Sequence, residues 1–263
     1  MEANNATFWE HLDELKGVIL RIIVAVVVMG MVAFTFKEQL FSVILAPQNG
    51  EFITYQYLAK VSSLFNEAQN TSLDNFSVRL INTQLTQQFM IHVRMAIYVG
   101  FLVVFPYLLF EIFRFVSPAL HSHERRYAGG VVVWGYIMFL IGVALSYFLI
   151  FPLTFRFLGS YQVSPDVENM ISLDSYISTM MMLNFAMGII FEIPILCWLF
   201  AKLGFLTASF MRHYRRHAIV GLLTIAAIIT PTSDVVTLLL VALPMYLLYE
   251  LSILIVSLTR KSQ

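Results

Sequence analysis

The sequence predicts an all-α membrane protein that crosses the bilayer several times. Hydrophobic residues make up 59% of the 263 residues and charged residues 12%, whereas a soluble domain carries roughly 45–50% and about 25%. The hydrophobic residues are gathered in runs of about twenty, the length that a helix needs to cross a hydrocarbon core. An ordinary soluble domain is excluded, because 16 basic and 16 acidic residues are too few to cover the surface of this chain.

Six segments are predicted to cross the membrane. The first has Arg21 as its single charge, and because it is too long for the apolar region of a signal peptide, we expect it to be retained. The second contains Pro106, and the third begins after the pair Arg125-Arg126. The six segments are residues 18–36, 89–113, 127–155, 176–203, 217–230 and 235–258.

The last three segments are irregular. The fourth is interrupted by Glu192 and Pro194. The fifth ends before Pro231, and its length of about 21 Å is short of a hydrocarbon core of roughly 30 Å. The sixth follows a Pro-Thr-Ser-Asp turn, so the last two segments predict a helical hairpin with at least one short arm. Glu250 lies near the end of the sixth, where we expect it to reach the interface by snorkelling.

The basic residues predict the orientation in the membrane. Six spans place both termini on one side, and that side holds eleven of the 16 Lys and Arg residues. Cytoplasmic loops carry the excess of Lys and Arg, so both termini are predicted to be cytoplasmic. The stretch of residues 37–88 is then an external loop with short helices. No inverted repeat of the kind found in secondary transporters is visible.

An acidic cluster precedes the first span. Glu10 and Glu14 are four residues apart and share a helix face, with Asp13 beside them. One interpretation is that they complement the positive end of the helix dipole. However, carboxylates are unusual beside the anionic cytoplasmic leaflet, which attracts basic residues. The alternative interpretation is a binding site for a cationic partner.

A second acidic candidate lies in the loop between the second and third spans. Ser117-Pro118 predicts a turn, and Glu124 directly precedes Arg125. A local ion pair in a solvated loop is one interpretation. The other is a second carboxylate on the same membrane face as Glu14. Two carboxylates suit two guanidinium groups, because arginine pairs with a carboxylate through two parallel hydrogen bonds and lysine does not.

Four stretches of the sequence resemble the TatC family, in the family's order and over nearly the whole chain. They are FWEHLDELKG (residues 8–17), FVSPALHSHERR (residues 115–126), FAMGIIFEIPI (residues 185–195) and ITPTSDVVTLLLVALPMYLLYE (residues 229–250). The resemblance implies a concave, glove-like bundle in the bacterial cytoplasmic (inner) membrane. It implies a protein that binds twin-arginine signal peptides and translocates folded proteins using the proton-motive force. The implied partners are TatA/TatB-type single-span subunits and other TatC copies.

The resemblance also implies roles for individual residues. Glu14 and Glu124 match the glutamates that contact the twin arginines, and Glu10 and Asp13 accompany Glu14. Further matching positions are the recognition-loop residues Phe115, Pro118 and Arg125, the intramembrane Glu192 with Pro194, and the external-side motif positions Pro47 and Asp234. The chain departs from the family at Lys16-Gly17, where more basic residues are usual, at Glu111, where a neutral residue is typical, and in a longer first external loop.

Glu192 is notable on physical grounds as well. A charge in the middle of a span costs at least ~2.5–3.5 kcal/mol. Pro194 can leave the carbonyl of Ile190 without its usual donor. One interpretation is a protonated glutamate that is hydrogen-bonded inside the bundle. The other is the floor of a cavity that accepts a partner helix or the apolar part of a signal peptide.

Two other classes of function remain as alternatives. Glu192 taken alone does not exclude a proton-coupled secondary transporter that uses this residue as its proton site. Such a transporter is expected to contain an inverted repeat. An intramembrane enzyme is the weaker alternative, because the chain has one cysteine and no metal-binding or phosphate-binding motif. We therefore predict that the protein is not an enzyme, holds no cofactor or metal, and binds no nucleic acid.

Overall fold

The structure, a computed structural model, describes residues 8–65, 79–116, 128–162, 164, 169–230 and 234–261. Nearly all of these residues are helical, so the predicted all-α polytopic fold class is confirmed. The helices are α1 (Phe8–Thr35), α2 (Lys37–Leu45), α3 (Ile53–Phe65), α4 (Gln87–Val116), α5 (Ala128–Leu145), α6 (Phe151–Ser160), α7 (Leu173–Ile190), α8 (Ile193–Lys202), α9 (Ala208–His213), α10 (Arg215–Ile229) and α11 (Val235–Lys261).

Three short elements complete the described part of the chain. A 3-10 turn at Ala46–Gln48 follows α2, and a π-helical turn at Ser146–Ile150 joins α5 to α6. Strands β1 (Leu80–Ile81) and β2 (Ile171–Ser172) form a two-residue parallel pair. The π-helical turn directly precedes Phe151-Pro152, and a proline removes the donor that the regular helix would need there.

Five described stretches are long and apolar enough to cross a bilayer: Leu12–Thr35, Gln87–Phe115, Gly129–Ser160, Leu173–Lys202 and Val235–Thr259. Helix α10, the fifth predicted span, has 15 residues and a length of about 22 Å. Helix α11 has 27 residues, so the short arm of the last hairpin is α10 alone. The six-span topology, its orientation and the external position of residues 37–88 stay predictions.

The chain divides into two compact units. The first comprises residues 1–37 and 92–137, and the second comprises residues 38–91 and 138–263. In the first unit, α1 crosses α4 in near backbone contact. A Cβ atom added to Gly100 would lie 2.6 Å from the backbone nitrogen of Gly30 and 2.7 Å from the carbonyl oxygen of Val26. Most of the remaining surface of α1 is exposed, as expected of a helix that faces lipid.

The second unit has a similar crossing, between the end of α5 and α7. A Cβ atom on Gly142 would lie 2.6 Å from the carbonyl oxygen of Met187, and one on Gly188 would lie 2.5 Å from the ring of Phe139. Phe139 is fully buried against this glycine. Small residues therefore bring the helices close enough for dispersion contacts, which drive helix packing in a membrane.

At another place in the unit, Met211 of α9 packs with Ile253 and Val256 of α11, so α9 is held by the last helix.

Candidate functional site

The predicted recognition residues lie at the start of α1 and around the end of α4. Asp13 and Glu14 are exposed on the second turn of α1. Phe115 is the second-last residue of α4. Glu10 belongs to α1, but its side chain lies outside the described part of the chain, as do the whole of Pro118, Glu124 and Arg125.

An ion pair between the half-exposed Arg21 and the buried Glu111 joins α1 to α4 in the first unit. Arg21 Nη2 donates to Glu111 Oε2 at 2.9 Å, and the Tyr107 hydroxyl donates to Glu111 Oε1 at 2.9 Å. Glu111 is 2% exposed, so both oxygens of an almost fully buried carboxylate have a donor. Losing either donor would leave one oxygen of this buried carboxylate without its hydrogen bond.

This ion pair shares its helix faces with the recognition residues. Glu14 is seven residues before Arg21, and Phe115 is four residues after Glu111; both spacings keep a residue on the same helix face. The helices run antiparallel, because Arg21 precedes Gly30 on α1 whereas Glu111 follows Gly100 on α4. Glu14 and Phe115 therefore extend from the ion pair toward the same end of the first unit.

A second ion pair joins α10 to α11 in the second unit. Arg215 Nη2 donates to Glu250 Oε2 at 2.7 Å, and the Tyr249 hydroxyl donates to the carbonyl oxygen of Met211 at 2.8 Å. Glu250, which we expected to snorkel to the interface, is therefore paired with a neighbouring helix. The arginine to which it is paired lies 35 positions away along the chain.

Sequence reasoning missed both ion pairs, although a signal for them exists. The pentapeptides YLLFE (residues 107–111) and YLLYE (residues 246–250) share one pattern, and each follows a proline inside a helix. In each, the glutamate binds an arginine of another helix. In both stretches the glutamate stands among apolar residues, where a buried charge requires a partner.

Three tyrosine hydroxyls of the second unit converge on the carboxyl end of α2 and the turn after it. The last carbonyls of a helix lack intrahelical partners, and tyrosines supply donors here. Tyr147 donates to Val43 O at 2.6 Å, Tyr176 donates to Ile44 O at 2.9 Å, and the Tyr55 hydroxyl lies 3.1 Å from both Pro47 O and Pro152 O. Burial raises the pKa of Tyr55, so its hydroxyl keeps its proton at neutral pH.

The external-motif residues Pro47 and Asp234 both have structural contacts. Pro47 is buried, and its carbonyl oxygen accepts the hydrogen bond from Tyr55. Asp234 caps α11, because its Oδ1 accepts from the backbone N–H of Thr237 at 2.8 Å and its Oδ2 accepts from the Thr237 hydroxyl. A cap of this kind stabilises a helix by roughly 1 kcal/mol. A role for these two residues beyond these contacts stays a prediction.

Glu192 lies in the break between α7 and α8 of the second unit. The residue that would donate to the carbonyl of Ile190 is Pro194, which is buried at the start of α8 and has no N–H. Glu192 is 6% exposed, and its Oε1 has no hydrogen-bond partner within the described residues. Asn184, two helical turns earlier, is also buried, and its Oδ1 likewise has no partner there. Two buried side chains near the break therefore each have an oxygen without a partner among the described residues.

Comparisons with known proteins cover nearly the entire chain. Residues 10–244 match the family model described as Sec-independent protein translocase protein (TatC). Proteins named Sec-independent protein translocase protein TatC are similar to the chain in Blattabacterium sp. subsp. Periplaneta americana and in Aquifex aeolicus. Each is 31% identical over 256 residues, which is 97% of this chain and 96% of the relative.

A solved structure is similar as well. A crystal structure titled as the twin arginine translocase receptor TatC superposes with a TM-score of 0.73 and 31% sequence identity. The alignment covers 95% of this chain and 100% of the solved one. A second crystal structure, of the same receptor in the detergent DDM, has the same TM-score and covers 93% of this chain.

Proposed function

Because the chain belongs to the TatC family of Sec-independent protein translocase proteins, we propose that it is the subunit that binds twin-arginine signal peptides at the cytoplasmic face. The observation that carries this proposal is the pair of exposed carboxylates, Asp13 and Glu14, at the start of a long lipid-facing helix. Acidic groups at that membrane surface repel anionic lipid headgroups and attract a cationic ligand.

The chemistry of recognition requires two carboxylates. Glu14 supplies one from α1, and Glu124, in the segment that follows α4, supplies the other. Each accepts two parallel hydrogen bonds from one guanidinium group, which a lysine ammonium cannot match in geometry. The proposed site therefore selects two arginines over two lysines of equal charge. Phe115, Pro118 and Arg125 shape the same site, and Glu10 and Asp13 add to its negative field.

In the proposed mechanism, peptide binding is followed by assembly of the chain with its partner subunits. The apolar part of the peptide inserts among the helices, and TatA/TatB-type single-span subunits and further copies of the chain then join. Glu192 and Asn184 support a partner site, because buried acceptors without a donor are costly until a partner supplies one. Folded passenger proteins cross the bacterial inner membrane at the expense of the proton-motive force, with both termini of the chain in the cytoplasm.

Peptide binding tests the recognition step. A fluorescent peptide with two consecutive arginines is titrated into the purified full chain in detergent, beside its two-lysine counterpart. We expect the arginine peptide to bind at least about tenfold more tightly, since each charge-assisted pair contributes roughly 1.5–3 kcal/mol and the lysine peptide loses the bidentate geometry. Equal, weak binding of both peptides would contradict the proposal.

Substitution of Glu192 tests the partner step. In Glu192→Ala, we expect cross-linking of a single-span subunit to α8 to fall at least about fivefold, because a buried hydrogen bond of roughly 1–3 kcal/mol is lost. Met182→Ala, an exposed position on α7, serves as the matched control and is expected to cross-link normally. Translocation assays with and without a protonophore show whether transport still depends on the proton gradient. Unchanged cross-linking and transport in Glu192→Ala would refute this role.

A further inference from the structure

We infer that the cluster of Arg21, Glu111 and Tyr107 positions the twin-arginine site by fixing the register of α1 against α4. The inference rests on the proposed function, because it concerns the placement of Glu14 relative to the end of α4. Arg21 and Glu111 act here as positioning residues. The two side chains form an ion pair with each other, so neither is proposed to contact the peptide.

The apolar contacts of α1 do not by themselves fix its position against α4. Most of α1 is apolar and exposed, and dispersion contacts with lipid do not specify one axial position. Gly30 and Gly100 define where the two helices cross. Beyond the crossing, the ring of Phe34 stacks on that of His92 with the centroids 3.9 Å apart. These contacts hold the carboxyl-terminal part of α1 and leave its amino-terminal part, which carries Glu14, able to pivot. A second, directional contact removes that freedom.

The ion pair supplies the second contact at a distance from the crossing. It lies nine residues from Gly30 along α1, about 13 Å, and eleven residues from Gly100 along α4, about 16 Å. Both oxygens of Glu111 are held, one by Arg21 and one by Tyr107. The buried carboxylate cannot turn to another donor without losing one of these bonds. Two contacts this far apart determine the axial position and the rotation of α1.

The fixed register is transmitted to the recognition residues along rigid helices. Glu14 is two turns beyond Arg21 on the same face of α1, about 10 Å along the axis. Phe115 is one turn beyond Glu111 on the same face of α4. A slip of α1 by one turn would therefore move Glu14 by about 5.4 Å relative to the end of α4. Bidentate recognition of a guanidinium group does not survive a displacement of that size.

The experiment compares peptide binding by four full-length variants in detergent. They are Arg21→Gln, Glu111→Gln, the reversed pair Arg21→Glu/Glu111→Arg, and the matched control Arg215→Gln, which breaks the equivalent ion pair of the second unit. We expect each single variant of the first pair to lose about tenfold in affinity for the two-arginine peptide. The ratio of the affinity for the two-arginine peptide to that for the two-lysine peptide should fall as well. The reversed pair should recover the affinity to within about threefold.

The control separates positioning from simple stabilisation. Arg215→Gln is expected to lower the melting temperature and to keep the full preference for arginine. A purely structural role of Arg21 and Glu111 would likewise lower the melting temperature and leave that preference intact. If Arg21→Gln and Glu111→Gln keep the wild-type preference, or bind the arginine peptide more tightly, the inference is overturned.

Two further outcomes also decide the matter. If the single variants do not fold, the reversed pair is measured alone, and a folded reversed pair without arginine preference overturns the inference. If the wild-type chain itself shows no preference for arginine, the proposed function fails. If the wild-type chain prefers arginine and Arg21→Gln keeps the same preference, the positioning role alone is refuted and the proposed function stands.

Discussion

Replacing Glu14 and Glu124 together by glutamine is expected to reduce the affinity for a two-arginine peptide by at least about a hundredfold. Glutamine keeps the size of the side chain and one acceptor oxygen, but it removes the charge and the second acceptor. Each lost charge-assisted pair contributes roughly 1.5–3 kcal/mol, and the two losses combine when both guanidinium groups lose their carboxylates. Titration of the fluorescent peptide into the purified variant measures the effect.

The single variants and one distant control complete this test. Glu14→Gln and Glu124→Gln should each lose about tenfold or more. Glu38→Gln removes an exposed glutamate from the first turn of α2, on the predicted external side, and should bind normally. Wild-type affinity in the double variant would show that the peptide is recognised elsewhere.

Gly100→Ala is expected to disrupt the packing of α1 on α4. The new methyl group would meet three backbone atoms of α1, the nearest of them at 2.6 Å. Backbone atoms cannot rotate away as a flexible side chain can, so the helices must separate. Overpacking of this kind typically costs about 1–3 kcal/mol. We expect a lower melting temperature in detergent and, because the ion pair at Arg21 is stretched, a weaker preference for arginine.

Gly221→Ala is the matched control for this substitution. Apart from the nearby backbone of its own helix, a Cβ atom at Gly221 of α10 would meet no atom of the described residues within 4 Å. Alanine favours the helix over glycine by up to about 1 kcal/mol, so this variant should melt at the same temperature or a higher one. Equal melting of Gly100→Ala and the wild type would mean that α1 and α4 do not approach as closely as described.

The sequence by itself determined the features that depend on local composition. Runs of apolar residues predict membrane helices because the thickness of the hydrocarbon core sets the length that must be apolar. The shortness of α10 follows from the same rule. The break before α8 was equally readable, because proline lacks the N–H that a continuous helix requires. The acidic residues Asp13 and Glu14 stand out because they are charges at the predicted cytoplasmic end of an apolar helix, where basic residues are usual.

The tertiary structure decided which residues meet. Arg21 and Glu111 are 90 positions apart, and Tyr176 and Ile44 are 132 apart. No local periodicity pairs residues at such separations, since the pairing depends on which helix faces come together. The same holds for Gly100, whose importance lies in the backbone of another helix. Sequence patterns record how each helix meets lipid, whereas the identity of its neighbours is set by shape and by the need of each buried polar group for a partner.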